Sequence, residues 1–201
     1  MSLRIPALLG SLIALVACAG TAVVEPSGFL GDYSQLKPGR GDQAQLIYID
    51  PEADFSPYQR VLVEPVEVWQ RAAGSDAPAG EFASLSADLG SALRKQLALE
   101  FELVDSPGPG TLRIRTAITQ VRMSGASIEI EILDAESGRR LVAAADARGE
   151  VGPRAGRADA TGEWTNARQD FEFWAERARD RLAAFRSFDK AEAAHDSRTE
   201  P

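Results

Sequence analysis

Catalysis by side chains needs a nucleophile or a proton carrier, and this chain is poor in both. Its one histidine, His195, lies in a charged C-terminal stretch, and its one cysteine, Cys18, lies in an apolar N-terminal run. Unless the tail folds back, that composition excludes a Ser–His–Asp triad, a Cys–His pair and a zinc site built on histidines. Carboxylates are what remain. The run DPEAD holds Asp50, Glu52 and Asp54, but it lacks the glycine at the sixth place and the distal glutamate of a calcium loop, so it reads as a solvated turn. Glu64 and Glu67 resemble the paired carboxylates of a glycosidase only in type; on a strand they read as outward charges. GPGTLR (108–113) lacks the Lys-Ser/Thr ending of a phosphate loop and leads into a strand, so it reads as a turn. The expectation is a protein that is not an enzyme, with no metal and no cofactor.

Cys18 belongs to a different chemistry. Residues 1–17 carry a single charge, Arg4, ahead of an apolar run from Ile5 to Val16. That run falls short of the roughly 20 apolar residues that span a bilayer, and it reads as a signal peptide. Leu15, Val16 and Ala17 precede the cysteine, an order that resembles a bacterial lipobox, in which the thiol receives a diacylglycerol and a peptidase cuts before it. The competing reading is a small buried hydrophobe in a helix; the shortness of the run and its polar flank favour lipidation. Acyl chains contributing about 0.8 kcal/mol per buried CH₂ would hold the protein on a membrane. The enterobacterial sorting scheme that goes with this resemblance retains a protein in the inner membrane when Asp follows the cysteine. Ala19 stands here, so the expectation is the outer membrane, facing the periplasm. With the thiol acylated, no disulfide can form.

At 44% hydrophobic residues there is material for one core, and the formal charge of −8 argues against nucleic acid and against broad attachment to anionic lipid. RGEVGPRAGR (148–157) is a local basic exception. Its Arg154 and Arg157 are candidates for contact with an anionic partner such as lipopolysaccharide or peptidoglycan carboxylates, against the alternative of a flexible loop.

The elements that must position these residues follow from periodicity. Residues 19–43 are rich in Gly, Pro and Ser and read as a tether, within which Phe29, Leu30, Tyr33 and Leu36 could dock onto the domain or a partner. LIYID (46–50) is a short strand. YQRVLVEPVEVW (58–69) is strongly β-forming, with Pro65 demanding a bend, a bulge or an edge position. Leu85, Leu89, Ala92, Leu93 and Leu97 make one stripe of a helix from about Phe82 to Glu100, with Ser84 or Ser86 as candidate caps. EFELVD (100–105) is a short strand and SPGPG (106–110) a break. Two alternating strands follow. Leu112, Ile114, Thr116 and Ile118 face inward with Arg113 and Arg115 outward; Ile128, Ile130 and Ile132 face inward with Glu129 and Glu131 outward. Paired antiparallel, they would set arginines beside glutamates, worth about 0.2–1 kcal/mol per pair. DAESG (134–138) turns the chain into a further strand. A last helix, about Asn166 to Phe188, carries Ala167, Phe171, Trp174, Ala175, Ala178, Leu182 and Phe185 on one face, where Phe171 and Trp174 read as core rather than as a ligand cage.

Several stretches together, SGFLGDYSQLKPG, YQRVLVEPVEVW, FELVDSPGPGTLRIRTAIT, IEIEILDAESGRRLVAAADARG and DFEFWAERARDRL, resemble the domain-of-unknown-function-3313 family of bacterial lipoproteins. The resemblance implies an envelope location and a fold, and it brings no catalytic residues. More loosely, the order of elements is similar to periplasmic lipoproteins of the curli-secretion-channel and amino-terminal TolB type, which act by binding other envelope proteins.

The expected architecture is α+β: a two-layer sandwich, mainly antiparallel, with two principal helices packed on one face. Its parts are a leader (1–17), a lipidated N-terminus and tether (18–43), one domain (44–188) and a polar tail (189–201). The expected role is that of a membrane-anchored periplasmic lipoprotein that binds an envelope protein, with Cys18 as anchor and Phe29, Leu30, Tyr33, Arg154 and Arg157 as candidate contacts. The alternatives are a carrier of a hydrophobic or anionic envelope ligand such as a lipid, and a carboxylate-dependent hydrolase. An apolar cavity of several hundred Å³ would favour the carrier; converging acids in a cleft would favour the hydrolase.

Overall fold

The computed structural model describes residues 20–69, 74–151 and 164–199. Strands β2 (Lys37–Pro38), β3 (Leu46–Ile49), β4 (Arg60–Val63), β5 (Glu67–Val68), β6 (Glu102–Leu103), β7 (Thr111–Arg122), β8 (Gly125–Asp134) and β9 (Arg140–Ala147) form one open eight-stranded sheet. Its order is β2-β3-β9-β8-β7-β4-β6, with β5 also pairing β7. Helix α1 (Phe82–Leu97) and helix α2 (Thr165–Thr199) pack on one face. β1 (Gly20–Thr21) and β10 (Glu150–Val151) form a separate small ladder. The class is therefore α+β, as the pattern of elements predicts. None of the described helices is long and apolar enough to cross a membrane.

The register puts the alternating apolar residues together. Ile114 lies opposite Ile132, Thr116 opposite Ile130 and Ile118 opposite Ile128, so one continuous aliphatic face meets the helices. From α1, Leu85, Leu89, Leu93 and Leu97 close on it; from α2, Phe171, Trp174, Ala175 and Leu182 do the same. Fully burying one such side chain is worth about 1.5–3 kcal/mol. The β4 and β5 segments run parallel to β7, interrupted at Pro65, because proline has no N–H to donate to a ladder. Gly110 ends the SPGPG break at φ +63°, with its carbonyl accepting from the N–H groups of Gln59 and Arg60 at 3.1 and 3.3 Å. That bond lays the start of β7 against β4.

Three expectations change. The start of α1 has no side-chain cap: Glu81 occupies the cap position, and Ser86 lies inside the helix, its hydroxyl donating to the Phe82 carbonyl at 2.7 Å. Helix α2 continues to Thr199, past the expected end at Phe188. The largest change concerns the sheet's second face. Glu129 and Glu131, expected outward in water, are 0% and 5% exposed, because the segment read as a tether docks on the domain, one of the two placements expected for Phe29 and Leu30, and lies across them from Ala22 onward. Phe29 and Leu30 pack on Ala117 and Ala143, while Val24 packs on Ala145 and Ala147. These alanines are the reason the strap fits. A face of small side chains lets a second layer of backbone approach the sheet closely.

Candidate functional site

The helix-facing side of the sheet is not covered evenly. Helix α1 sits by β4 and β5, and α2 crosses β8. Beyond α2, the half of the sheet formed by β9 and β3 borders a groove of about 480 Å³, within the roughly 300–1,000 Å³ common for small-molecule sites. Its floor alternates along three strands: Ile47 and Ile49, then Val142 and Ala144, then Ile128, Ile130 and Ile132. Trp174, Ala178, Leu182 and Phe185 supply the wall from α2. Ala144 and Ala178 have only a methyl group each, and larger residues at either place would fill the space.

Polar groups gather at one end. The indole N–H of Trp174 donates to Asp146 at 2.7 Å, and the other Asp146 oxygen accepts the Gln45 backbone N–H at 3.0 Å, which fixes the ring. Asp42, in the loop from β2 to β3, accepts from Arg177 at 2.5 Å and also from Arg181, so this loop is clasped to α2 across the mouth. Desolvation raises the pKa of Asp42, but the Arg181 and Arg177 guanidinium groups and a backbone hydrogen bond together outweigh it and hold the carboxyl below its ordinary value. Arg148 stacks over Phe173 at 3.8 Å from the ring centroid and pairs with Asp170 at 2.9 Å. Burial raises the pKa of Asp170 above its ordinary value, outweighing that bond and the one from the Ala126 N–H.

The sheet's opposite face carries the other concentration of charged groups. Glu129 accepts the Ser27 N–H at 2.8 Å with one oxygen and the Tyr33 hydroxyl at 2.6 Å with the other. The Tyr33 oxygen in turn accepts from Gly28 and Leu30. Burial, then the bond to Glu129, raises its pKa. Glu131 is gripped by Arg115 at 2.7 Å and by Arg140 at 2.6 Å, and Arg140 also donates to the carbonyls of Leu30 and Asp32. Trp69 closes the patch, its ring 5.5 Å from that of Phe29 and its N–H on the Ser27 carbonyl. Only Arg115 and Glu131 make the expected cross-strand pair: Glu129 lies opposite Ala117, and Arg113 opposite Leu133.

The candidate residues thus separate. Phe29, Leu30 and Tyr33 come together, on the chain's own sheet rather than at a surface open to a partner. Cys18, Arg154 and Arg157 lie outside the described residues. The acids singled out from the sequence, Asp50, Glu52, Asp54, Glu64 and Glu67, do not line the groove. Asp50 pairs with Arg139, Asp54 caps a turn at Ser56, and Glu64 and Glu67 face Arg113 and Arg115. Among the described residues, His, Cys, Asp and Glu nowhere group as three in a way that could hold a metal ion. Phe171 is core, whereas Trp174 is both core and groove wall. Sequence reasoning raised such a space only as the alternative of a carrier and did not place its lining, although the alternation of Ile47 and Ile49 and the small size of Ala144 and Ala178 were its signals.

An open α+β sheet with two helices on one face and an N-terminal strap on the other defines the class. The chain belongs to the family described as "Protein of unknown function (DUF3313)", which it matches over residues 25–128, from the strap into β8. No curated protein matches it significantly by sequence. Distant solved structures share its outline. The PelC dodecamer from Paraburkholderia phytofirmans is 11% identical, covering 65% of this chain and 96% of that one, at a TM-score of 0.38. A DUF330 protein from Xanthomonas campestris is 8% identical, covering 71% and 94%, at 0.42. A chain described as a neuraminyllactose-binding hemagglutinin homolog from Helicobacter pylori is 11% identical, covering 80% and 99%, at 0.41. Similarity at this level says nothing of ligand or role.

Proposed function

We propose that the protein is an envelope lipoprotein, anchored through Cys18 to the outer membrane on its periplasmic side, that binds an apolar ligand in the groove between the sheet and α2 and performs no catalysis. The observation that carries this reading is the groove itself. An apolar space of about 480 Å³ lined by isoleucines is what a carrier requires and what a closed binding surface lacks. The strap adds to it: Phe29 and Leu30 are spent on the chain's own sheet, which weakens the reading in which they reach another envelope protein.

The test is in vitro. The full chain carrying Cys18→Ser is titrated with a fluorescent fatty-acid analogue, alongside the same protein carrying Ala144→Phe. Ala144 lines the groove, so a phenyl ring at this position takes up part of its volume. Saturable binding that Ala144→Phe removes supports the proposal. Binding that is absent, or that survives both Ala144→Phe and Ala178→Phe, sinks it.

A further inference from the structure

Three observations about the groove's mouth point to one class of ligand. The first is where the N-terminus enters. Ala22 donates its N–H to the Gly149 carbonyl at 3.2 Å, and Gly149 and Arg148 both line the groove. Cys18 precedes Ala22 by four residues, a span of at most about 14 Å when extended. A lipid on Cys18 therefore brings the mouth to the bilayer surface, whereas a free tether through residue 43 would have let the domain stand away. Val23, next along the chain, turns an aliphatic side chain outward at 79% exposure.

The second observation is charge. Arg148, Arg177 and Arg181 line the mouth, and Asp42, Asp146 and Asp170 balance them, with Arg148 paired to Asp170 and the other two to Asp42, so a phospholipid headgroup meets both signs of charge there. The third is width. Asp42 bridges from the β2–β3 loop to Arg177 and Arg181 on α2. An occupant must share the mouth with both pairs, which suits a single hydrocarbon chain better than a helix, about 10–12 Å across with its side chains.

Resting on the reading of Cys18 as an anchor and of the groove as a binding site, we infer that the groove receives an acyl chain of a phospholipid drawn from the leaflet that holds the anchor, with its headgroup at the ion pairs of the mouth. Burial of methylene groups against Ile130, Val142 and Leu182 drives entry.

The test uses the lipidated full chain in vesicles of phosphatidylethanolamine and phosphatidylglycerol, doped with a phosphatidylglycerol bearing a photoactivatable diazirine in mid-chain. Vesicle flotation checks the anchor, and mass spectrometry maps the crosslinks. The expected result is crosslinking to β8, β9 and α2 at the groove, falling about tenfold, or 1.4 kcal/mol, in Ala144→Phe and in Ala178→Phe. Circular dichroism confirms that both variants fold. Crosslinks confined to residues 18–24 overturn the inference while leaving the anchor in place. Groove crosslinks that appear only with Cys18→Ser also overturn it, because the protein's own acyl chain then fills the space. A wild-type chain that floats no better than Cys18→Ser overturns the anchor reading itself. Fatty-acid binding in solution without phospholipid crosslinks overturns the inference and leaves the groove as a site for another apolar ligand.

Discussion

Replacing Glu129 by glutamine should release the N-terminal strap. The carboxylate is fully buried and serves two donors at once, the Ser27 N–H at 2.8 Å and the Tyr33 hydroxyl at 2.6 Å. Glutamine offers one oxygen and one NH₂ group. If the NH₂ faces Ser27, two donors oppose each other. If it faces Tyr33, the hydroxyl would have to accept it while already accepting the N–H groups of Gly28 and Leu30. Either way one half-buried donor loses its bond to residue 129, costing about 1–3 kcal/mol, and a charged bond becomes a neutral one at a further cost of about 1 kcal/mol. Loss of the buried charge offsets part of this, so the net effect is about 2–3 kcal/mol. The cost falls on the strap, which can lift while the helix-side core stays closed. Hydrogen exchange of the amides from Ser27 to Tyr33 should therefore quicken by roughly 30- to 150-fold, at about 1.4 kcal/mol per factor of ten. Amides of β7 should change little. Strap amides that quicken by less than about threefold would refute the reasoning, as would an equal loss of protection in β7. A cycle with Tyr33→Phe should show a coupling of about 0.5–3 kcal/mol between the two side chains.

Other consequences are as direct. Gly110→Ala should destabilise the protein by about 1–3 kcal/mol in urea unfolding, because a Cβ there would lie 2.7 Å from the Pro57 carbonyl oxygen at a positive φ; an unchanged midpoint contradicts that placement. Alkaline pH should unfold the protein. Burial followed by the bond to Glu129 raises the pKa of Tyr33, and burial followed by Asp134 raises that of Tyr58, both from an ordinary 10.0. A pKa raised in the folded state gives stability that is complete below pH 10 and lost as pH rises through the folded value. Tyrosinate absorbance from these two residues should appear together with unfolding, not before it. Asp134 acts at the other end of the scale. Burial raises its pKa, but the Ser137 bonds and the Tyr58 hydroxyl outweigh this and lower it below 3.8. Its contribution is present above that value and lost as pH falls through the folded one, so Ser137→Ala should make unfolding in acid begin at a higher pH.

Much of the fold was legible because it rests on period. The stripe from Ala167 to Phe185 and the alternation of Ile128, Ile130 and Ile132 each specify a face, and all of these residues meet the core. Period says which side chains share a face, not whether that face is wet. Glu129 and Glu131 had the pattern of a solvated edge, and only the strap, drawn from about a hundred residues earlier, makes them buried. The clue was the small size of Ala117, Ala143 and Ala145, which suits a covering layer. The groove was harder to read for a related reason. It exists because α2 lies over β8 while β9 and β3 extend beyond it, and helix placement across a sheet is set by packing over the whole domain. The Asp42 clasp joins residues more than a hundred positions apart, beyond the reach of any local pattern.

The central claim is that the groove holds an apolar ligand in the living envelope. Native mass spectrometry of the full chain, extracted mildly from its own membranes, tests this most directly. Wild-type protein should carry an aliphatic mass beyond the acyl groups on Cys18, and Ala144→Phe protein should carry only those acyl groups. Identical masses apart from the substitution, with no added ligand on either, would contradict the account.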